Sequence, residues 1–348
     1  MDNELGTHII ELVGEKAQEV IVIADSILDY NTSSVMVTEF ADIALFTKVN
    51  TVKTATKESG KSKYIPKKAI HILINRTLTE PLHIVFEYSD TRGQYIYIEI
   101  ADGVQATIVE HHVLCDCGSV IANQQVCAKV EVAVGQNCEV LYSAFDTSGM
   151  NLEIERFVSL KKDTKVDFAI GMFGRSCKTQ SYVGLMEQGA TTESKLMMFV
   201  EGADKQVHLV KMNHFAPNTT SNIINHGVVA DHAVGEFEGI GFIEKGSHQA
   251  DAQQQSRIMV LDDTARADVH PILLIDEYDV MAGHAGSVGR ISDEALFYLQ
   301  SRGLNRKDSM LLVTEGFLRP VVENIADVNT KERIEKVIAQ KVGVAREH

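Results

Sequence analysis

Short runs of alternating apolar and polar residues, each ended by a small polar turn, fill this chain from about residue 20 to about residue 290. In residues 130–134 (VEVAV) and 166–172 (VDFAIGM) an apolar side chain recurs at every second position. A period of two is the period of a β-strand that buries one of its faces, and no helical period is present in this stretch. The pattern therefore predicts a chain that consists mainly of short strands.

The turns between these runs recur at a nearly constant spacing of roughly 13 to 17 residues. One strand and one turn fill each interval, so a coil of two strands takes about 30 residues, and stacked coils pair each strand with its neighbours above and below. We therefore predict a parallel β-helix with two sheets. A large β-sandwich, whose strands also recur regularly, is the alternative interpretation. The turns that set the spacing are Gly202-Ala203-Asp204, Pro217-Asn218-Thr219, Ala230-Asp231-His232, Lys245-Gly246-Ser247 and Asp262-Asp263-Thr264.

Beyond residue 290 the pattern becomes helical. Ser292 can cap a first helix with an acidic first turn, and Asn305 can cap a second. Asn329 with Glu332 resembles the capping box of a third helix. The predicted domains are an N-terminal helical segment (residues 1–20), a β-helix core (residues 21–290) and a C-terminal helical subdomain (residues 291–348).

Charge and hydropathy exclude several classes of partner. The formal net charge is −15, and no basic cluster of the kind that binds phosphates is present, so nucleic acid is excluded as a ligand. There is no apolar run of about 18 residues, and the first residues lack the basic-then-apolar pattern of a signal peptide. We therefore expect a cytoplasmic protein without a membrane partner. The five cysteines are an odd number, which favours reduced thiols over a disulfide framework.

One cysteine pair could bind a metal. Cys115 and Cys117 are separated by one residue, and in a strand this spacing places both sulfurs on the same face. With His111 and His112 nearby, a metal site is one interpretation, and a pair of reduced thiols is the other.

Evidence for catalysis is weak. Gly60-Lys61-Ser62 looks like the end of a phosphate loop, but the first glycine of such a loop is replaced by Ala55. Histidines distant in sequence could converge when coils stack, although each one alone fits a hydrogen-bonded structural residue. We therefore predict that the chain is not an enzyme. The scattered histidines are His208, His214, His226, His232, His248, His270 and His284.

Residues 276–303 (DEYDVMAGHAGSVGRISDEALFYLQSRG) resemble the C-terminal signature of the SufB/SufD family of iron–sulfur cluster assembly proteins. In that family a D-V-x-x-x-H turn leads into a helix that ends in L-F-Y-L-x-S-R-G. Residues 237–240 (FEGI), 250–253 (ADAQ) and 261–265 (LDDTA) are similar to further strand and turn elements of the family. The resemblance implies a right-handed parallel β-helix that ends in a C-terminal α-helical subdomain.

The resemblance also implies partners and site residues. SufB and SufD pair through their β-helices, each carries a SufC-type ABC ATPase on its helical subdomain, and the cluster assembles at the SufB–SufD junction. His284 occupies the position of the SufD histidine at that junction, so it is a tentative ligand of iron or of a cluster. Alternatively, His284 only fixes the turn into the helical subdomain. Phe297, Tyr298 and Arg302 could begin the ATPase-docking surface, or this helix could simply pack on the solenoid with Leu296 and Leu299 in the core.

Departures from the family pattern favour SufD over SufB. Ala285 replaces a SufB glutamate, and no cysteine follows Cys177, so the scaffold cysteine of SufB is missing. Ala282, in contrast, replaces a cysteine found in many SufD proteins, so a second ligand at that position is lost. The chain is also shorter than is usual in the family and is expected to lack most of the N-terminal helical domain.

We therefore expect a SufD-like, non-catalytic subunit of a SufBCD scaffold. It should have no stably bound cofactor and at most transient contact with iron or a cluster. The alternative is a SufB-like homodimer that binds the nascent cluster itself through Cys115, Cys117 or His284.

Overall fold

The chain runs as a series of short strands that alternate between two sheets and end in three helices. The computed structural model describes residues 19–23, 28–31, 35–40, 69–88, 93–114 and 124–344. The described strands are β1 (Glu19–Ile23), β2 (Leu28–Asn31), β3 (Met36–Phe40), β4 (Ala69–Ile74), β5 (Leu82–Tyr88), β6 (Gln94–Ile100), β7 (Gln105–Leu114), β8 (Gln125–Val134), β9 (Glu139–Asp146), β10 (Asn151–Leu160), β11 (Lys165–Met172), β12 (Cys177–Leu185), β13 (Thr191–Val200), β14 (Lys205–His214), β15 (Thr220–Val229), β16 (Val234–Ile243), β17 (Asp251–Val260), β18 (Arg266–Ile275) and β19 (Met281–Arg290). The helices are α1 (Asp293–Ser301), α2 (Arg306–Val322) and α3 (Val328–Val344).

Strands one coil apart lie side by side. Sheet 1 has ten strands in the order β19-β17-β15-β13-β11-β9-β7-β5-β1-β2, and sheet 2 has nine in the order β18-β16-β14-β12-β10-β8-β6-β4-β3. Among the described strands only β1–β2 and β3–β4 pair antiparallel. From β4 onwards, a coil spans from 25 residues (Leu152 to Cys177) to 34 residues (Gln105 to Glu139). The predicted two-sheet parallel solenoid is therefore confirmed, whereas a sandwich of antiparallel sheets is excluded. The hand of the coil stays a prediction.

The alternating pattern places one row of every strand in the solenoid interior, which we call the lumen. In β10 the buried inward residues are Leu152, Ile154, Val158 and Leu160, together with Arg156. Burial of the apolar rows contributes roughly 25 cal/mol for each Å² of apolar surface removed from water. The core is therefore a continuous column between the two sheets.

Polar turns at the corners of the coils bond to one another. Gly202 and Asp231 have φ angles of 68° and 56°, in the left-handed region that glycine and aspartate tolerate best. The Asp231 carboxylate accepts the N–H of Gly202 at 2.8 Å, and the Asp231 N–H donates to the Asp262 carboxylate at 2.8 Å. Each turn thus stabilises the turn one coil away, which explains why the turn chemistry recurs in the sequence.

The three helices fold back over the outer face of sheet 1. Their apolar sides form one cluster with outward residues of that sheet, including Phe145 and Phe199 of sheet 1 and Leu318 of α2. The predicted caps Ser292 and Asn305 are confirmed, since their side chains accept the N–H groups of Ala295 at 3.1 Å and Asp308 at 2.8 Å. No helix in the described part of the chain is long and apolar enough to cross a membrane.

The predicted start of the third C-terminal helix differs from the structure, and most of the predicted N-terminal helix lies outside the described residues. The third helix begins earlier than predicted, because the carboxylate of Asp327, and not Asn329, accepts the N–H of Thr330 at 2.7 Å. A charged carboxylate is a strong acceptor at a helix N-terminus, where the helix dipole also favours it. Residues 1–18 of the predicted N-terminal helix lie outside the described residues, and Glu19 and Val20 begin strand β1.

Two buried histidines make stability depend on pH. Burial lowers the pKa of His208 to about 3 and that of His214 to about 4, from the ordinary value of 6.5. Near pH 6.5 the unfolded chain binds protons that the folded chain does not, so stability is complete above this pH and falls as pH drops from 6.5 towards 4. We expect urea unfolding to show this decline and His214→Asn to make it shallower. The exposed His232 provides the control, because His232→Asn also removes a histidine but not a buried one.

Candidate functional site

The C-terminal end of the solenoid is open. Strands β18 and β19 are the last strands of their sheets, and each bonds to a neighbour on one side only. Most of their side chains are exposed, including Leu274, Met281 and Val288. Two ten-residue strand edges therefore end the solenoid with their apolar residues in contact with solvent.

Backbone hydrogen bonds show which residues face the free edge of β19. Met281 donates its N–H to Ala250 at 2.9 Å, and Ile291 donates to Val260 at 3.3 Å. Because successive N–H groups of a strand alternate in direction, the odd-numbered residues from 281 to 289 bond to β17. The even-numbered residues of β19, which include His284 and Val288, therefore direct their N–H and C=O groups to the free edge.

The predicted ligand His284 lies in the middle of this edge strand. It pairs in register with Gln254, a buried residue on the lumen side of sheet 1. No coil follows β19, so the His284 side chain is exposed at the mouth of the lumen. Its ring has no hydrogen bond or ion pair with any residue that the structure describes, so no such bond fixes it to the turn before the helical subdomain.

The α1 residues predicted to bind a partner have different environments from their apolar neighbours. Phe297 and Tyr298 are 73% and 56% exposed. The guanidinium of Arg302 lies over the Tyr298 ring, 5.1 Å from its centroid. Leu296 is buried and Leu299 is half-buried, so the predicted core side and the predicted partner side of α1 are distinct faces of one helix.

The remaining predicted ligands do not form a metal site in the described part of the chain. His111 and His112 are adjacent in β7 and point to opposite faces of sheet 1, because successive strand residues alternate. The His112 ring bonds to Glu110 at 2.6 Å, whereas the His111 ring bonds to Arg333 of α3 at 2.9 Å. No group of three or more His, Cys, Asp or Glu side chains in the described ranges is placed to hold a metal ion. Cys115 and Cys117 lie outside those ranges.

The buried histidines among the scattered ones do not converge, and each has hydrogen-bond partners of its own. His208 bonds to Thr179 at 2.8 Å, and His226 bonds to the carbonyl of Phe317 in α2 at 2.6 Å. His214 bonds to hydroxyl groups on either side of its ring. The interpretation of these residues as structural histidines therefore fits the contacts.

A buried ionic cluster in the lumen was missed from the sequence. The Arg156 guanidinium donates to the Glu110 carboxylate at 2.6 Å, and both side chains are almost fully buried. The Tyr142 hydroxyl also donates to Glu110, and His112 bonds to both Glu110 and Tyr88. Burial alone would raise the pKa of Glu110, but Arg156 and His112 outweigh burial and lower it to about 2. The cluster links β7, β9 and β10 across the lumen, far along both sheets from β19.

Comparison with known proteins agrees with this architecture. A family model described as "SUF system FeS cluster assembly, SufBD core domain" matches residues 88–317. The iron–sulfur cluster assembly protein SufD of Bacillus subtilis is 32% identical over 304 residues, which cover 85% of this chain and 67% of that protein. SufD of Escherichia coli is 24% identical over 250 residues, which cover 71% of this chain and 58% of that protein.

More distant relatives match a smaller region. A SufBD family protein of Mycobacterium tuberculosis is 27% identical over 202 residues, which cover 57% of this chain and 24% of that protein. The matched part is thus about a quarter of the mycobacterial protein and about two thirds or less of the two SufD proteins. The parallel solenoid, the helical end and these matches together show that the chain belongs to the SufB/SufD family of iron–sulfur cluster assembly proteins and is most like SufD.

Proposed function

We propose that this chain is a SufD-like, non-catalytic subunit of a cytoplasmic SufBCD scaffold for iron–sulfur cluster assembly. In this proposal it pairs with a SufB-like protein through the open end of the solenoid and carries a SufC-type ABC ATPase on its helical subdomain. The single observation that carries the proposal is the exposed edge strand β19 with His284 at its centre.

The two strand edges at the open end differ in their ability to pair. Arg266 donates its N–H to Ala233, the residue before β16, and Asp276 donates to Ile243, the last residue of β16. The odd-numbered residues of β18 therefore face its free edge. Pro271 is one of these residues and has no N–H, and proline is a common device that blocks pairing at an exposed edge. Strand β19 contains neither proline nor lysine. We therefore assign the pairing of the two solenoids to β19.

Pairing along β19 would bring His284 to the junction between two subunits. A neutral imidazole is a suitable ligand for Fe²⁺, and it dissociates more readily than a thiolate, which suits a cargo that must be handed on. Iron or the nascent cluster would then be cargo held between this chain and its partner. Exposure of the ring and its freedom from hydrogen bonds with the described residues support this role.

Co-purification tests the proposed assembly. The full-length chain should form a complex with a SufC-type ATPase and a SufB-like protein when the three are expressed together. Size-exclusion chromatography with light scattering gives the stoichiometry. Failure of the folded chain to retain any SufC-type ATPase would refute its role as a scaffold subunit.

Substitution of His284 tests its role in holding cargo. Under anaerobic reconstitution, the complex that carries His284→Ala should bind iron or cluster about tenfold more weakly than the wild type, since a ligand is lost. The measurement is bound iron and sulfide together with the visible absorbance of the cluster. His270 is also an exposed histidine of the last coil, so His270→Ala is the matched control and should leave loading unchanged. Equal loading of all three complexes would contradict the proposed role of His284.

A further inference from the structure

A groove on the solvent side of the helical subdomain lies between α2 and α3. Its cavity volume is about 440 Å³, and Val322 and Ile338 form an apolar floor whose side chains are largely buried. Leu312 stands at its rim and is 51% exposed. An apolar floor beside an exposed leucine fits a partner side chain better than it fits solvent.

Gly316 opens the groove in the middle of α2. A Cβ atom added at this residue would meet nothing within 4 Å, so the glycine leaves a notch. Glycine in a helix interior is destabilising by about 1 kcal/mol relative to alanine. Pro320 lies four residues later and has no N–H, so the carbonyl of Gly316 lacks its usual helical donor. The notch therefore combines free space with a carbonyl oxygen, that of Gly316, which receives no hydrogen bond from the residue four positions later in α2.

The charges around the notch are unbalanced. Glu315 and Glu335 line the groove, and neither has a hydrogen bond or ion pair with a described residue. Burial and the nearby Glu335 carboxylate raise the pKa of Glu315. At the other end of the groove, Arg319 is already paired with Glu323 at 2.7 Å. Lys331 also lines the groove, and its charge lowers the pKa of Glu323. The groove thus carries three carboxylates and two cations, and neither cation forms an ion pair with Glu315 or Glu335 among the described residues. The remaining negative charge is the complement of a lysine or arginine side chain.

We propose that this groove is the socket for a lysine or arginine, flanked by a large apolar residue, on a helix of the SufC-type ATPase. The cationic head binds between Glu315 and Glu335, and its aliphatic stem lies in the notch at Gly316. The apolar neighbour packs against Leu312 and the floor of the groove. This inference rests on the proposed function, and it specifies which surface of the helical subdomain contacts the ATPase.

Two variants of the full-length chain test the socket by binding to a purified SufC-type ATPase in isothermal titration calorimetry. Gly316→Leu fills the notch and should weaken binding about tenfold or more. It should melt at or above the wild-type temperature, because leucine is a better helix former than glycine and its Cβ meets no atom. Glu315→Gln combined with Glu335→Gln should also weaken binding about tenfold, and should remove most of its dependence on salt.

The control is Glu332→Gln, which removes an exposed carboxylate from the same helix as Glu335 and outside the groove; its affinity should equal that of the wild type. If the wild-type chain binds the ATPase and both groove variants bind it equally well, the socket is wrong and the proposed function stands. Loss of binding on substitution of Phe297 and Tyr298, with the groove variants unaffected, would likewise place docking on α1 instead. A wild-type chain that binds no such ATPase would refute the proposed function as well.

Discussion

Arg156→Met should lower the free energy of unfolding by about 3 to 5 kcal/mol, because it leaves the buried Glu110 carboxylate without its cation. Because methionine keeps much of the side-chain volume, the loss of unfolding free energy reflects the missing charge more than a new cavity. Urea unfolding followed by circular dichroism measures the difference. Lys178→Met is the matched control, since the Lys178–Glu153 pair at 3.2 Å is exposed and should contribute little.

A double substitution distinguishes the loss of the Arg156–Glu110 ion pair from the cost of leaving one charge buried alone. Arg156→Met combined with Glu110→Gln should recover most of the lost stability, because a neutral pair leaves no uncompensated charge in the lumen. If Arg156→Met alone is as stable as the wild type, the cluster does not stabilise the solenoid in the way described.

The cluster also predicts an acid limb in the stability curve. Since Arg156 and His112 outweigh burial and lower the pKa of Glu110 from 4.5 to about 2, its contribution is complete above pH 4.5 and is lost as pH falls from 4.5 towards 2. Glu110→Gln should remove this limb, which lies at lower pH than the decline expected from His214.

Val288→Pro should abolish pairing through the open end, with a loss of affinity of about 100-fold or more, because it removes an N–H from the free edge of β19. Val288 is 47% exposed, and its N–H faces away from β17, so the ladder inside the solenoid keeps its bonds. Analytical ultracentrifugation of the chain with a SufB-like partner gives the affinity. The unfolding midpoint should stay close to that of the wild type.

Two controls decide whether the backbone of β19 carries the pairing. Val288→Ala keeps the N–H and should retain most of the affinity. Pro271→Ala supplies an N–H at the edge of β18 and should leave the affinity unchanged, since assembly does not depend on that edge. If Val288→Pro pairs as tightly as the wild type, the subunits meet elsewhere. If Val288→Ala alone abolishes pairing, the apolar side chain and not the strand edge is responsible.

The local features of the fold were predictable because each depends on neighbouring residues. Alternation predicted strands such as β8 and β11, and residues that favour left-handed backbone marked the corners of the coils. The same alternation places His111 and His112 on opposite faces of the sheet, so at most one of them could join a metal site on either face. Asn329 was the wrong cap because a side chain two residues upstream, Asp327, competes for the same helix end.

The long-range features were not predictable from one sequence. Arg156 stands between Ile154 and Val158 at an inward position, so its burial could have been read from the period of two. Its partner Glu110 lies 46 residues away. Which acidic residue lies next to Arg156 depends on how many residues each coil contains, and that number varies from coil to coil. The groove at Gly316 depends on how α2 and α3 pack, and the sequence pattern of either helix alone does not reveal it.

The two ends of the solenoid limit how large an assembly can grow. At the N-terminal end of the described strands, the short strands β2 and β3 reverse direction and pair antiparallel, an arrangement different from that of β19. Head-to-tail stacking of identical solenoids, which would propagate into a fibre, is therefore disfavoured. With Pro271 blocking the second edge at the other end, the pairing proposed for β19 would end after one partner. Under that proposal two subunits would form a closed particle, and the unpaired ten-residue strand would not lead to the polymerisation that such an edge otherwise invites.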